Sequence, residues 1–284
     1  MSQNIKYFFF LIGGILVSQC INPVDKEINE KPHILTFEET EELDFNIPYI
    51  LDLQKGNKHL VVYGCLHSFN PDDSMFLDIE NRFTGLSPDF SLNEGGEWQI
   101  FNTKDETIRK SGEQGFLRFL SIKNGIPVET FEPQPQEEYQ YILSKYPKCD
   151  VLLMYFCRQA AQLQNQQEIT DFKEYMLTYI SYLKSKGFPI GEPQKEYDDI
   201  IYDYEKLFRE EFNWREFNPE NVWPVYNNTI LNRINRDITL FRDEYIVDLI
   251  ENKLEEYNKI FVLMGANHVV NQQPVLEYLF LGTD

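Results

Sequence analysis

HLVVYGCLH, residues 59–67, is a short, mostly apolar run that ends on a glycine and then a histidine. A continuous apolar run of this length reads as a buried strand. The pattern returns near the other end of the chain, where Lys259–Met264 (KIFVLM) runs into Gly265-Ala266-Asn267-His268. Between them lie two further strand-like runs, Asp89–Asn93 (DFSLN), stopped by Gly95-Gly96, and Pro127–Phe131 (PVETF). Helical spacing follows each of these first three strands. Pro71-Asp72-Asp73-Ser74 opens a helix with Ile79 and Phe83 on one face. Gly112–Lys123 carries Phe116, Phe119, Leu120 and Ile122, and Pro135–Tyr146 is again helical. Successive β-then-α units predict an α/β fold, a mainly parallel sheet flanked by helices.

The middle of the chain breaks this alternation. From Cys149 to about Glu211 the sequence holds helical runs (VLLMYFCRQAAQL, FKEYMLTYISYL, YDDIIYDYEKLF) and no convincing strand. Trp214–Pro224 reads as an aromatic loop or short helix. These stretches define a helical insertion, about residues 149–225, between the third strand and the last. A long helix then runs from about Asn228 to Tyr257, with a stripe through Ile230, Ile234, Ile238, Phe241, Tyr245 and Leu249 at spacings of three and four. A final helix holds Val275, Leu276 and Leu279.

The 284-residue chain has 46 Asp and Glu against 26 Lys and Arg, a net charge of −20. So acidic a chain repels phosphate backbones, which argues against nucleic acid as a partner. Its 42% apolar content suffices for a sizeable core. No apolar stretch reaches the ~18–20 residues that span a bilayer. Residues 1–20 (MSQNIKYFFFLIGGILVSQC) place Lys6 before an apolar run from Tyr7 to Val17, the form of an export signal. Val17-Ser18-Gln19-Cys20 resembles the lipobox of bacterial lipoproteins, in which the cysteine is acylated; Gln19 departs from the usual small residue. Residues 21–45 are expected to be a polar tether and residues 46–284 the folded domain, exported and lipid-anchored to the cell envelope, on its periplasmic or outer surface. Cys65, Cys149 and Cys157 leave no complete disulfide framework. Cys149 and Cys157 would lie ~12 Å apart on one helix, too far to bridge, so all three are expected to be buried apolar thiols.

Four histidines are present. His33 lies beside the tether and His59 at a strand start. His67 and His268 share one context: strand, Gly, two residues, His. In α/β sheets ligands bind where strand ends open into loops, and a glycine there lets the chain turn sharply and the histidine approach a ligand. Glu94 and Glu132 stand at the exits of the second and third strands. Two imidazoles with one or two carboxylates suit a divalent metal of the Mn, Co or Zn kind, and suit acid–base chemistry equally. Arg242, beside the stripe of the long helix, is placed to pair with Glu94 or Glu132; Arg233 and Arg236 are weaker rivals. Cys65 and Ser68 flank His67, and neither sits in a nucleophile-elbow pattern.

The matching stretches YGCLH (His67), PDFSLNEGG (Glu94), GIPVETFEP (Glu132), LFRDEYIVDLI (Arg242) and VLMGANHVV (His268) resemble, in order and spacing, the TraB/PrgY/GumN family. That family includes the Tiki proteases and is similar to the erythromycin-esterase and ChaN-like haem-binding group. The likeness runs from about His59 to Val270 and is weakest in the insertion. Asn267 departs from the small residue more usual before the second histidine.

The resemblance implies a cleft at the strand ends and a hydrolase acting on a peptide or small ester, metal-dependent as in Tiki-like members. His67, Glu94 and His268 would be the metal ligands, and Glu94 the general base if it is not a ligand. Arg242 would stabilise the oxyanion, with Glu132, Ser68 and Asn267 around them. Haem or a peptide signal is the alternative ligand, with Tyr155, Phe156, Tyr175, Tyr179 and Tyr182 as an apolar wall; these rings are equally suited to packing the helices together. The enzyme reading requires His67, Glu94, Arg242 and His268 to reach within ~5 Å of one point.

Overall fold

The computed structural model describes residues 32–40, 43–166 and 169–282. The signal, Cys20 and most of the tether lie outside them. The described elements are α1 (Phe37–Thr40), β1 (Tyr49–Lys55), β2 (Lys58–Cys65), α2 (Ser74–Leu86), β3 (Phe90–Asn93), α3 (Lys104–Lys123), β4 (Val128–Thr130), α4 (Pro135–Lys145), α5 (Lys148–Leu163), α6 (Phe172–Ser185), α7 (Pro193–Phe208), α8 (Ile230–Glu256), β5 (Lys259–Gly265) and α9 (Ala266–Leu281), with a 3₁₀ turn at Pro219–Asn221.

Five strands form one sheet in the order β1-β2-β5-β3-β4. β2, β5, β3 and β4 are parallel, as the β-then-α alternation requires, and only β1 runs antiparallel, paired to β2. The strand β1 was not anticipated. Its YILDLQK sequence buries Leu51 and Leu53 alone and joins β2 through the two-residue Gly56-Asn57 turn.

Alternation along the central strands divides the apolar side chains between two faces. Leu60, Val62, Ile260 and Val262 pack with Ile246 and Ile250 of α8 and Val269 and Leu276 of α9. Val61, Tyr63, Phe261 and Leu263 pack with Phe76, Ile79 and Phe83 of α2 and Phe116 and Leu117 of α3. A separate apolar core binds the helical layer, and it is wider than residues 149–225. It takes in Tyr139 and Ile142 of α4 and Leu231, Ile234 and Ile238 of α8. The long helix therefore belongs to both cores, its first half to the helical layer and its second half to the sheet.

Three expectations are corrected. The tether does not extend to residue 45, because Ile34 is buried in the sheet-side core and the Leu35 N–H donates to the Asn271 carbonyl. Cys149 is exposed, while Cys65 and Cys157 are buried; all three are free thiols. Finally, the α8 stripe holds only in its first half: Ile234 and Ile238 are buried, whereas Phe241, Tyr245 and Leu249 are only partly buried and the buried line continues through Asp243, Ile246 and Ile250.

Candidate functional site

The four parallel strands end along one edge of the sheet, and that edge collects the chemistry. β2 and β5 are neighbours, with Cys65 paired to Gly265, so His67 and His268 leave adjacent strand ends. β3 lies on the other side of β5 and delivers Glu94; β4 lies beside β3 and delivers Glu132. His67, Glu94, Arg242 and His268 line one cavity of about 360 Å³.

The two Gly-x-x-His segments are built differently. Neither glycine makes a left-handed turn, since neither Gly64 nor Gly265 has a positive φ. Gly64 instead permits close packing. A Cβ there would stand 2.9 Å from Ala266 Cα, Tyr49 O and Val269 Cγ2. His67 then lies in an exposed loop, whereas α9 begins at Ala266 and His268 sits in its first turn.

Each imidazole is oriented by a buried carboxylate. His268 Nδ1 is 2.6 Å from Asp243 Oδ1, which also accepts from Gln272 Nε2 at 2.7 Å. His67 Nδ1 is 2.6 Å from Glu113 Oε1, and the other Glu113 oxygen accepts from the Ser68 N–H at 3.1 Å. A carboxylate accepts, so Nδ1 carries the hydrogen and Nε2 is left for chemistry. Sequence reasoning missed Glu113 and Asp243. Glu113 is placed by a break in α3 at Gly112 (φ 58°, ψ −157°), a conformation that favours glycine; the SGEQG run was its visible sign.

Arg242 and the two glutamates form a clamp. Arg242 Nη2 donates to Glu132 Oε1 at 2.8 Å and to Glu94 Oε1 at 3.4 Å. Glu94 Oε2 accepts from the Gly265 N–H at 2.9 Å, and Glu94 Oε1 stands 3.7 Å from His268 Nε2. Glu132 Oε1 also takes the Gly95 N–H at 2.9 Å. Arg236 is directed elsewhere, to Glu38 and the Pro224 and Tyr226 carbonyls, and Arg233 lines a different cavity.

These contacts set the titration of the site. Burial works to raise the Glu94 carboxyl, but the charges of His268 and Arg242 and the Gly265 N–H outweigh it and hold it below the ordinary carboxylate value. For His268 burial works downward, and Asp243 and Glu94 outweigh it, so the imidazole is raised. His67 is raised chiefly by its hydrogen bond to Glu113. Burial would lower Arg242, yet Glu132 and Glu94 hold it firmly charged. Cys65 is buried, with its thiol pushed up by desolvation, a poor nucleophile.

Of the remaining candidates, Asn267 is exposed on the cavity wall. The Ser68 hydroxyl accepts from the Asn70 N–H at 3.3 Å, a local turn contact. Phe156 is sealed inside the helical core against Phe172 and Phe212, and the Tyr175 hydroxyl is bonded to Gln159. As a metal centre the donors fit in kind: two imidazoles, each with Nδ1 held by a carboxylate, beside Glu94. In position they are not drawn together, for among the described residues no three His, Cys, Asp or Glu side chains are grouped as a ligand set. Comparison of the chain with protein-family models, with curated proteins and with solved structures returns no match in any of the three.

Proposed function

We propose that the protein is a hydrolase of peptide or ester bonds, of the kind implied by its resemblance to the TraB/PrgY/GumN family. One observation carries this reading. Two histidines far apart in sequence, each backed by a buried carboxylate, line one cavity with Glu94 and with Arg242, whose guanidinium Glu94 and Glu132 hold.

His67, the more exposed imidazole, accepts the proton of an attacking water at Nε2, and Glu113 stabilises the resulting imidazolium. Water oxygen bonds to the substrate carbonyl carbon. Arg242, held in place through Nη2, faces the developing oxyanion with the rest of its guanidinium. His268, raised by Asp243, gives its Nε2 proton to the leaving group as the scissile bond breaks. Glu94 is a poor base because its carboxyl is depressed; its part is to fix Arg242, the Gly265 N–H and the charge on His268. In the metal-dependent form of the same reading, His67 and His268 would instead give Nε2 to a divalent ion beside Glu94, and the ion would supply a bound water of lowered pKa in place of the two imidazoles acting as base and acid.

The test is turnover of fluorogenic peptides and p-nitrophenyl esters by the purified full chain, with metal content measured on the same sample. Loss of turnover is expected in His67→Gln and His268→Gln; undiminished turnover in both overturns the reading. Binding of haem without catalysis is the alternative, and a Soret shift on adding haemin to a chain that hydrolyses nothing would establish it. We also propose export and lipid anchoring through Cys20. No helix among the described residues is long and apolar enough to cross a membrane.

A further inference from the structure

The catalytic cavity does not end at Arg242. A second, larger hollow of about 570 Å³ adjoins it, and the two share Arg158, Gln162 and Arg242 as lining. Together they form a cleft with the sheet edge (Gly95, Gly96, Glu132) on one side and the helical layer on the other. Its size is that of a site for a small extended ligand. Tyr179 and Tyr182 of α6 form a stacked pair on its wall, with ring centroids 6.4 Å apart and planes at 22°, and Tyr182 is 49% exposed.

Arg158 of α5 stands at the junction of the two hollows. Its guanidinium lies 5.2 Å from the centre of the Tyr155 ring. Among the described residues it has no carboxylate within 4.0 Å, whereas Arg242 has two close carboxylates. The nearby acids are already engaged. Glu94 and Glu132 hold Arg242, and Glu138 Oε1 accepts the Tyr155 hydroxyl at 2.6 Å. A half-buried guanidinium facing a cavity, stacked on a ring and without a carboxylate of its own, is the group that receives a carboxylate from a ligand. Gln162 on the same helix, whose Oε1 accepts from Gln159 Nε2 at 3.3 Å, has its own amide Nε2 to offer a peptide backbone alongside.

We infer that the substrate is a peptide with a free C-terminal carboxylate, received by Arg158, with its terminal side chain laid on the Tyr179–Tyr182 wall. The protein then acts near the carboxyl end of its substrate. This rests on the hydrolase reading only for where the scissile bond lies.

The experiment is calorimetric titration of the full chain carrying His67→Gln, with N-acetyl-Ala-Ala-Phe and with its C-terminal amide. The free acid is expected to bind about tenfold tighter than the amide, as a charge-assisted pair would give. Adding Arg158→Gln is expected to erase that difference, and Arg158→Lys, which keeps the charge and most of the packing, to retain part of it. Equal binding of acid and amide overturns the inference, and so does a preference that survives Arg158→Gln. A wild-type chain that shows the Arg158-dependent preference and yet hydrolyses nothing sinks the hydrolase reading alone.

Discussion

His268 Nδ1 lies 2.6 Å from Asp243 Oδ1, and the Asp243 residue is 1% exposed. A buried carboxylate in this position fixes the tautomer of the imidazole and favours its protonated form. Asp243→Asn keeps the shape and removes the charge. We expect kcat to fall by about 10–100-fold, with the His268 titration, followed by NMR, moving to lower pH. A His268 titration that does not move in Asp243→Asn would refute this role.

The same pair makes stability depend on pH. His268 is raised above its ordinary value of 6.5, so its contribution is full below that value and is lost as pH rises through the folded-state value. Glu94 has the opposite sign. Its carboxyl is depressed below 4.5, so its contribution is present above that value and is lost as pH falls through the folded-state value. Melting temperatures are expected to decline on both flanks. Asp243→Asn should flatten the alkaline flank selectively, as thermal scans across pH will read.

Arg242 is held by two partly buried carboxylates, and removing one leaves the guanidinium under-compensated. Glu94→Ala is expected to cost about 3 kcal/mol, and the more exposed Glu132→Ala about 1–2 kcal/mol. Glu132 is the closer partner of Arg242, at 2.8 Å against 3.4 Å, but Glu94 is the more buried and also holds the Gly265 N–H. Denaturant unfolding distinguishes them, and equal losses would mean that the burial and further contact of Glu94 carry no weight.

Glycines place both imidazoles. In Gly64→Ala the new methyl meets backbone atoms of Ala266 and Tyr49 at 2.9 Å, and a loss of about 1–3 kcal/mol is expected. Gly112→Ala strains a residue at φ 58° and sets its Cβ 3.2 Å from the Ser68 carbonyl oxygen. It should displace Glu113, so the His67 titration returns toward 6.5 and activity drops, even where the protein stays folded.

The parallel strands and the residues Glu94, Glu132, His67 and His268 were legible because each rests on a local pattern, an apolar run followed by a distinctive end; the helical insertion was legible from helical spacing without a strand, and Arg242 from its place beside the stripe of the long helix. β1 was hidden because this edge strand buries only Leu51 and Leu53 fully, and YILDLQK shows no long apolar run, with Tyr49 and Ile50 only partly buried. The partners of the histidines were hidden for a different reason. Asp243 lies on the buried face of α8 together with Asn235 and Thr239, and a reading that follows apolar residues places the stripe elsewhere. A helix that faces a polar cavity is polar on its inner side. Glu113 depends on a kink that brings two distant segments together, which periodicity cannot reveal.

If Cys20 carries the anchor, Cys20→Ala should shift the protein from the membrane to the soluble fraction and abolish labelling by a radioactive fatty acid, while purified activity is unchanged. Unaltered fractionation would place the attachment elsewhere.

The shared membership of α8 in both cores bears on how this architecture could be re-engineered. Leu231, Ile234 and Ile238 rest on the helical layer, and Arg242 and Asp243 follow one turn later on the same rod. Excising the insertion as a cassette would strip the greasy underside of the very beam that carries the guanidinium and the imidazole's counterion. Grafting a new specificity onto this scaffold therefore means repainting the wall at Arg158, Tyr179 and Tyr182, residue by residue, and leaving the beam alone.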